Sequence, residues 1–106
     1  MEHFKFATYD LDKLKALLQN KATRVITGEA RRNAAQLGFL TDKEIIEQCL
    51  ALKGKDIYKT MTTHYDHALW QDVYKKICRE HPCYIKLQKS YDGKAVIIQF
   101  KMDESA

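Results

Sequence analysis

Proline occurs once, at Pro82, serine twice, at Ser90 and Ser105, and the four glycines are scattered singly. With no glycine cluster there is no loop of the kind that cradles phosphates through backbone N–H groups. Two isolated serines leave a serine-nucleophile triad unsupported. Neither an internal repeat nor a low-complexity stretch is present. Cysteine is sparse and odd in number (Cys49, Cys78, Cys83). That argues against a disulfide scaffold and for a reducing compartment. No apolar run approaches the roughly 18–20 residues of a membrane span. The opening Met-Glu-His-Phe-Lys-Phe lacks the apolar stretch of a secretory signal. The expectation is a cytoplasmic protein without a membrane partner.

What is present fits one domain over residues 1–106, with a loose acidic tail from about residue 103. The chain has 106 residues, 45% hydrophobic and 30% charged, with a mean hydropathy of −0.49. That is enough apolar material for a single core. The net charge of +4 is unevenly placed. Residues 1–52 carry 8 basic against 7 acidic side chains, and residues 53–101 carry 10 against 5. A polyanion partner would therefore dock on the second half.

Periodicity divides the chain in the same way. Asp10 reads as a helix N-cap ahead of Leu11, Leu14, Leu17 and Leu18 at helical spacing. A second helix is expected from Glu29 to Leu37, stopped by Gly38. Thr41 and Glu44 form a capping box opening a third helix, with Ile45, Ile46, Cys49 and Leu50 on its buried side. Between the first two helices, Arg24–Thr27 reads as an edge strand. Beyond Gly54 the stretches Asp56–Thr63, Leu69–Ile77, Cys83–Tyr91 and Lys94–Met102 are rich in Tyr, Thr, Ile and Val and read as strands. His81-Pro82 reads as a turn and Asp92-Gly93 as a two-residue type I′ turn. The fold class expected is α+β, N-terminal helices packed on a C-terminal antiparallel sheet.

A two-residue turn at Asp92-Gly93 sets a register in which Tyr84 faces Lys101, Ile85 faces Phe100 and Lys86 faces Gln99. Ile85, Leu87, Val96, Ile98 and Phe100 then form the core side. Tyr84, Lys86, Gln88, Gln99 and Lys101 form the other, with Ala95 and Ile97 at its turn end. A phenol beside two lysines is a phosphate-binding arrangement; a solvated sheet face has the same composition.

The run Tyr58-Lys59-Thr60-Met61-Thr62-Thr63, followed by Asp66-His67-Ala68-Leu69-Trp70-Gln71-Asp72-Val73-Tyr74, resembles the MqsR family of bacterial toxins. The likeness continues through Tyr84-Ile85-Lys86 to Phe100-Lys101 and covers about half of the chain. It implies a RelE-like α+β fold and the activity of a messenger-RNA interferase of a toxin–antitoxin pair, acting on GCU-like triplets in single-stranded mRNA. Lys59, Gln71 and Tyr84 fall on the family's catalytic lysine, glutamine and tyrosine. The partner implied is an MqsA-like antitoxin combining a zinc-binding domain with a helix-turn-helix, through which alone DNA would be reached. One departure concerns the phosphate grip. The family tends to have Arg-Pro after Tyr74, whereas Lys75-Lys76 stands here, so Lys75 supplies the charge without the bidentate fork.

These residues suit a cofactor-free cleavage in which the RNA's 2′-hydroxyl is the nucleophile. That reaction needs a base, positive charge for the phosphorane and an acid for the 5′-oxygen. Lys59 is the candidate for phosphorane stabilisation, and for base work if neighbouring cations depress its pKa. Tyr84 is an acid or phosphate-orienting group, and Gln71 positions the 2′-hydroxyl or a phosphate oxygen. Lys75, Lys86, Gln99 and Lys101 are the RNA-binding candidates. His67 is a rival acid–base group, with bracing of its loop as the alternative. Tyr58, Trp70 and Tyr74 stack bases or, for the last two, belong to the core or an antitoxin-facing surface. His64-x-x-His67 with Cys78-x4-Cys83 offers zinc-compatible ligand types, but neither spacing is a zinc signature, so no metal is assigned. The competing functional reading is a non-catalytic RNA-binding or regulatory partner of an antitoxin.

Overall fold

The helix-then-strand division of the sequence is followed by the computed structural model, which describes residues 3–63, 65, 66 and 68–106. The order is β1 (His3–Phe4), α1 (Leu11–Leu18), β2 (Arg24–Ile26), α2 (Gly28–Gln36), α3 (Asp42–Leu50), β3 (Ile57–Thr62), β4 (Trp70–Cys78), β5 (His81–Lys89) and β6 (Ala95–Met102). One sheet results, with the order β1-β3-β4-β5-β6-β2. The class is α+β, as expected. The sheet is mixed rather than purely antiparallel, because the edge strand β2 runs parallel to β6. A strand's own side-chain pattern does not encode its direction. β1, antiparallel to β3, is a further edge; two residues are too few to show a period.

The helix starts are set by short polar side chains. Asp10, Thr27 and Thr41 accept hydrogen bonds from the N–H groups of Lys13 (3.2 Å), Ala30 (3.1 Å) and Glu44 (3.1 Å). The Thr27 hydroxyl also donates to the Ile98 carbonyl at 2.9 Å, fastening the start of α2 to β6. The observed α2 begins and ends one residue before the expected span, with Gly38 beyond it at φ +92°. Leu14, Leu18, Ala30, Ala34, Ile45 and Cys49 from the helices close over Tyr74, Ile85, Leu87, Ile97 and Phe100 from the sheet. Phe39 meets Phe100 edge-on at 5.2 Å.

Two polar ties join this layer to β4. At one end the buried Asp72 carboxylate accepts the N–H groups of Thr8 (3.0 Å) and Tyr9 (2.9 Å). At the other end Arg79 pairs with Glu44 of α3 at 2.9 Å and lies 4.7 Å over the Phe39 ring. The start of the tail is tied as well: the Asp103 N–H donates to the Pro82 carbonyl at 2.7 Å.

Both turns of the meander correct the sequence reading. The two-residue loop with positive φ is Arg79-Glu80 (φ 47° and 74°), and Cys78 pairs directly with His81. His81 and Pro82 therefore lie inside β5. At Asp92-Gly93 only Gly93 has positive φ (+86°), and the Ser90 N–H bonds to the Lys94 carbonyl across a three-residue loop. This moves the pairing by one residue: Leu87 faces Ile97 and Lys89 faces Ala95. A bulge with Ile98 as the extra residue then restores the expected pairs Lys86–Gln99, Ile85–Phe100 and Tyr84–Lys101. Ile97 and Ala95 consequently join the main core cluster, while Val96 is buried outside it and Ile98 is only partly buried.

Candidate active site

Along β5, Cys83, Ile85 and Leu87 are buried in the core, so Tyr84, Lys86 and Gln88 point to the opposite face of the sheet. Register extends this face across the sheet. Lys59 of β3 faces Val73 of β4, Val73 faces Lys86, and Lys86 faces Gln99 of β6. In the adjoining row Lys75 faces Tyr84, and Tyr84 faces Lys101. Val73 is fully buried (0% exposed) although it lies on this face, so its long neighbours cover it.

A second bulge sharpens the constellation. Ile57 pairs with Tyr74 and Lys59 with Val73, leaving Tyr58 as the extra residue of β3. Tyr58 thereby lies against the same face, with the Lys75 ammonium 3.8 Å and the Lys59 ammonium 5.6 Å from its ring centroid. The Tyr84 ring lies 5.2 Å from the Lys101 ammonium and 5.9 Å from that of Lys86. Among the described residues, Lys59, Lys86 and Lys101 form no ion pair. Two such ammonium groups beside the Tyr84 phenol, with the third two strands away on the same face, make a site for anionic oxygens.

The electrostatics follow from this crowding. Burial pulls the Lys86 pKa below the ordinary lysine value, and Lys59 and Lys101 pull it further, with Glu29 of α2 opposing. Burial raises the Tyr84 phenol, and Tyr58 and Asp103 add to that rise, so it holds its proton at neutral pH. Gln71 donates to the Gln88 carboxamide oxygen at 2.8 Å, which fixes its orientation on the same face.

Residues 6–102 match the family model described as "Motility quorum-sensing regulator, toxin of MqsA". The chain is also 34% identical over 91 residues to the mRNA interferase toxin MqsR of Escherichia coli (strain K12), covering 86% of this chain and 89% of that relative. The chain belongs to the MqsR toxin family.

In this MqsR-family chain the fold brings Lys59, Gln71, Tyr84, Lys86 and Lys101 onto one face, but two expected RNA contacts are already engaged. Lys75 bonds to the Ser105 hydroxyl at 2.9 Å and pairs with Asp103 at 3.4 Å. Hydrogen bonds from Ser105, then from Lys75, hold the Asp103 carboxyl below its ordinary value. Gln99 uses its carboxamide oxygen to accept from Asn33 of α2 at 2.8 Å and from the Phe100 N–H. A cleft of about 470 Å³ opens beside the Lys75 end of the face, lined in part by Lys55, Lys76 and Pro82.

Tyr74, for which base stacking was one reading, is core at 0% exposure. Its hydroxyl has no hydrogen-bond partner among the described residues. Trp70 packs against Phe4 at 5.9 Å, while Tyr58 is 44% exposed. His67 and His64 lie outside the described residues. Cys49, Cys78 and Cys83 are all buried, and among the described residues no group of three or more His, Cys, Asp or Glu gathers for a metal ion. The contributions of Asp103, Ser105 and Glu29 escape sequence reasoning, since only tertiary placement brings the tail and α2 to this face.

Proposed function

We propose that this protein is an endoribonuclease toxin that cleaves single-stranded mRNA at short GC-containing triplets of the GCU kind, without a metal, and so inhibits translation. The observation that carries this reading is one sheet face on which Lys86 and Lys101 flank Tyr84 and Lys59 stands two strands away, the three lysines unpaired among the described residues, with Gln71 held on the same face. Lys59 and Lys101 neutralise the non-bridging oxygens as the phosphorane forms, a contribution that is large where the charges are preorganised. Gln71, anchored by Gln88, positions the 2′-hydroxyl. Tyr84, protonated at neutral pH, donates to the departing 5′-oxygen. The P–O5′ bond breaks as the 2′-oxygen bonds to phosphorus, giving a 2′,3′-cyclic phosphate and a 5′-hydroxyl. Exposed Tyr58 offers a ring for an adjacent base.

The family description, a toxin of MqsA, supports a cognate antitoxin as partner. On this reading the antitoxin carries zinc-binding and helix-turn-helix parts, and the toxin reaches DNA only through it. No helix among the described residues is long and apolar enough to cross a membrane, and the proposed place of action is the cytoplasm.

The test is cleavage of a defined RNA containing a single GCU, with EDTA present, by the wild type and by Lys59→Ala. Cleavage by the wild type alone, with 2′,3′-cyclic phosphate ends, is expected. Products ending in a 3′-hydroxyl would exclude the mechanism. Binding without cleavage by the wild type would leave the chain an RNA-binding partner of its antitoxin.

A further inference from the structure

The proposed cleavage leaves open which group takes the 2′-hydroxyl proton, and the sheet geometry points to one. We infer that Lys86, acting as the neutral amine, is the general base. This rests on the ribonuclease reading and assigns the step that reading leaves vacant.

The argument starts from placement. Lys86 is the central lysine of the three, since Lys59 stands two strands away on β3 and Lys101 stands diagonally on β6. The groups facing it are Val73 from β4, Lys59 from β3, Tyr84 from its own strand, Lys101 and Gln99 from β6 and Glu29 from α2. No carboxylate lies within ion-pair distance of it among the described residues. Three ammonium groups held together without counter-ions do not all keep their protons equally well. The one flanked on both sides, with its stem half-buried, releases its proton first. The depression of its pKa by burial, Lys59 and Lys101 agrees with that placement.

A bound scissile phosphate does not reverse this order. It carries one negative charge, which the two positive charges of the flanking Lys59 and Lys101 ammonium groups already exceed. The neutral amine of Lys86 then takes the 2′-hydroxyl proton as the 2′-oxygen bonds to phosphorus. The P–O5′ bond breaks and Tyr84 delivers its proton to the 5′-oxygen. The resulting Lys86 ammonium and Tyr84 phenolate return to their starting forms by proton exchange with water, so no co-reactant is consumed.

Lys86→Arg tests this, because it keeps the positive charge but replaces the amine with a group that does not deprotonate in proteins. Single-turnover cleavage of the GCU-containing RNA is measured from neutral to alkaline pH for the wild type, Lys86→Arg and Lys86→Ala. Binding is followed with an RNA carrying a 2′-deoxy sugar at the scissile position, and folding by thermal denaturation. The wild-type rate should rise with pH and level off below the free lysine value of about 10.4. Lys86→Arg should bind the deoxy RNA as tightly as wild type and lose roughly 10²–10⁴-fold in rate, together with the pH limb. In Lys86→Ala, added small primary amines should restore cleavage, with more basic amines more effective at equal free-base concentration. Retention of rate and limb by Lys86→Arg would make Lys86 a phosphate ligand only and overturn the assignment. So would a Lys86→Ala protein that is folded and binds RNA but gains nothing from amines. A wild type that binds RNA without cutting it would instead overturn the ribonuclease reading, and this inference with it.

Discussion

Replacing Tyr74 by Phe should make the protein more stable, although the residue closes the family-like Trp-Gln-Asp-Val-Tyr run. The ring is fully buried and its hydroxyl meets no partner among the described residues. A buried polar group left unpaired costs about 1–3 kcal/mol relative to its hydrated state. Phenylalanine keeps the ring and removes only that oxygen, so a gain of about 1 kcal/mol is expected. In a chain of this length that is a rise in Tm of about 4–8 °C. Alkaline pH supplies an independent signature. Burial, then Asp72 and Asp56, push the Tyr74 phenol from 10.0 up to about 12. Between those values the unfolded chain gives up this proton while the folded state retains it, so wild-type stability falls as pH rises through that window. Over the two units the loss amounts to about 2–3 kcal/mol, and below the unfolded value none of it is felt. Urea unfolding of both proteins at neutral pH and at several alkaline values measures the difference, in which the other tyrosines cancel. Tyr74→Phe should start ahead and draw further ahead as pH rises. Parallel pH profiles, or a variant less stable than wild type at neutral pH, would refute the claim that this hydroxyl is buried and unpaired.

Other changes probe the face and its supports. Tyr84→Phe should bind the deoxy RNA normally and cut the RNA about 10²-fold or more slowly, read by single-turnover kinetics. Asp103→Asn should release Lys75 toward the phosphates and steepen the dependence of RNA affinity on salt. One added single-strand contact changes the log–log slope by about 0.7, and an unchanged slope would mean that Lys75 stays out of the RNA path. Thr27→Ala removes a helix cap and a bond to the Ile98 carbonyl together, and should cost about 1–3 kcal/mol in urea unfolding, with Thr27→Ser recovering most of it.

Much of this site is legible in the sequence because a strand's alternation is a local property. Tyr84 and Lys86 two apart on β5, with Ile85 between, already fix which side chains share a face. The pairs Tyr84–Lys101 and Lys86–Gln99 follow from the expected two-residue turn even though the observed turn differs from it. The longer loop moves the register one way and the Ile98 bulge moves it back. Bulges are set by neighbouring strands and by twist, so the residues around Ile98 and Tyr58 carry no sign of theirs. The Arg79-Glu80 turn is equally silent, since neither residue is a usual occupant of positive φ; its conformation goes with the pairing of Arg79 to Glu44 and its stacking on Phe39. The engagement of Lys75 by the tail is a contact between positions about thirty residues apart, which no periodicity reports.

The two ties on β4 have a mechanical consequence. Asp72 is gripped through Thr8 and Tyr9 near the start of the strand, and Arg79, just past its end, is clasped to α3 through Glu44. A central strand anchored at both ends cannot slide or swivel against the layer behind it, and β3 and β5 are bonded to that strand along their lengths. The sheet that carries the lysines is therefore a plate held in fixed register, from which the lysine stems extend. A flexible polymer meeting such a plate must do the conforming itself. A strand of RNA bound there would bend its backbone to the sheet.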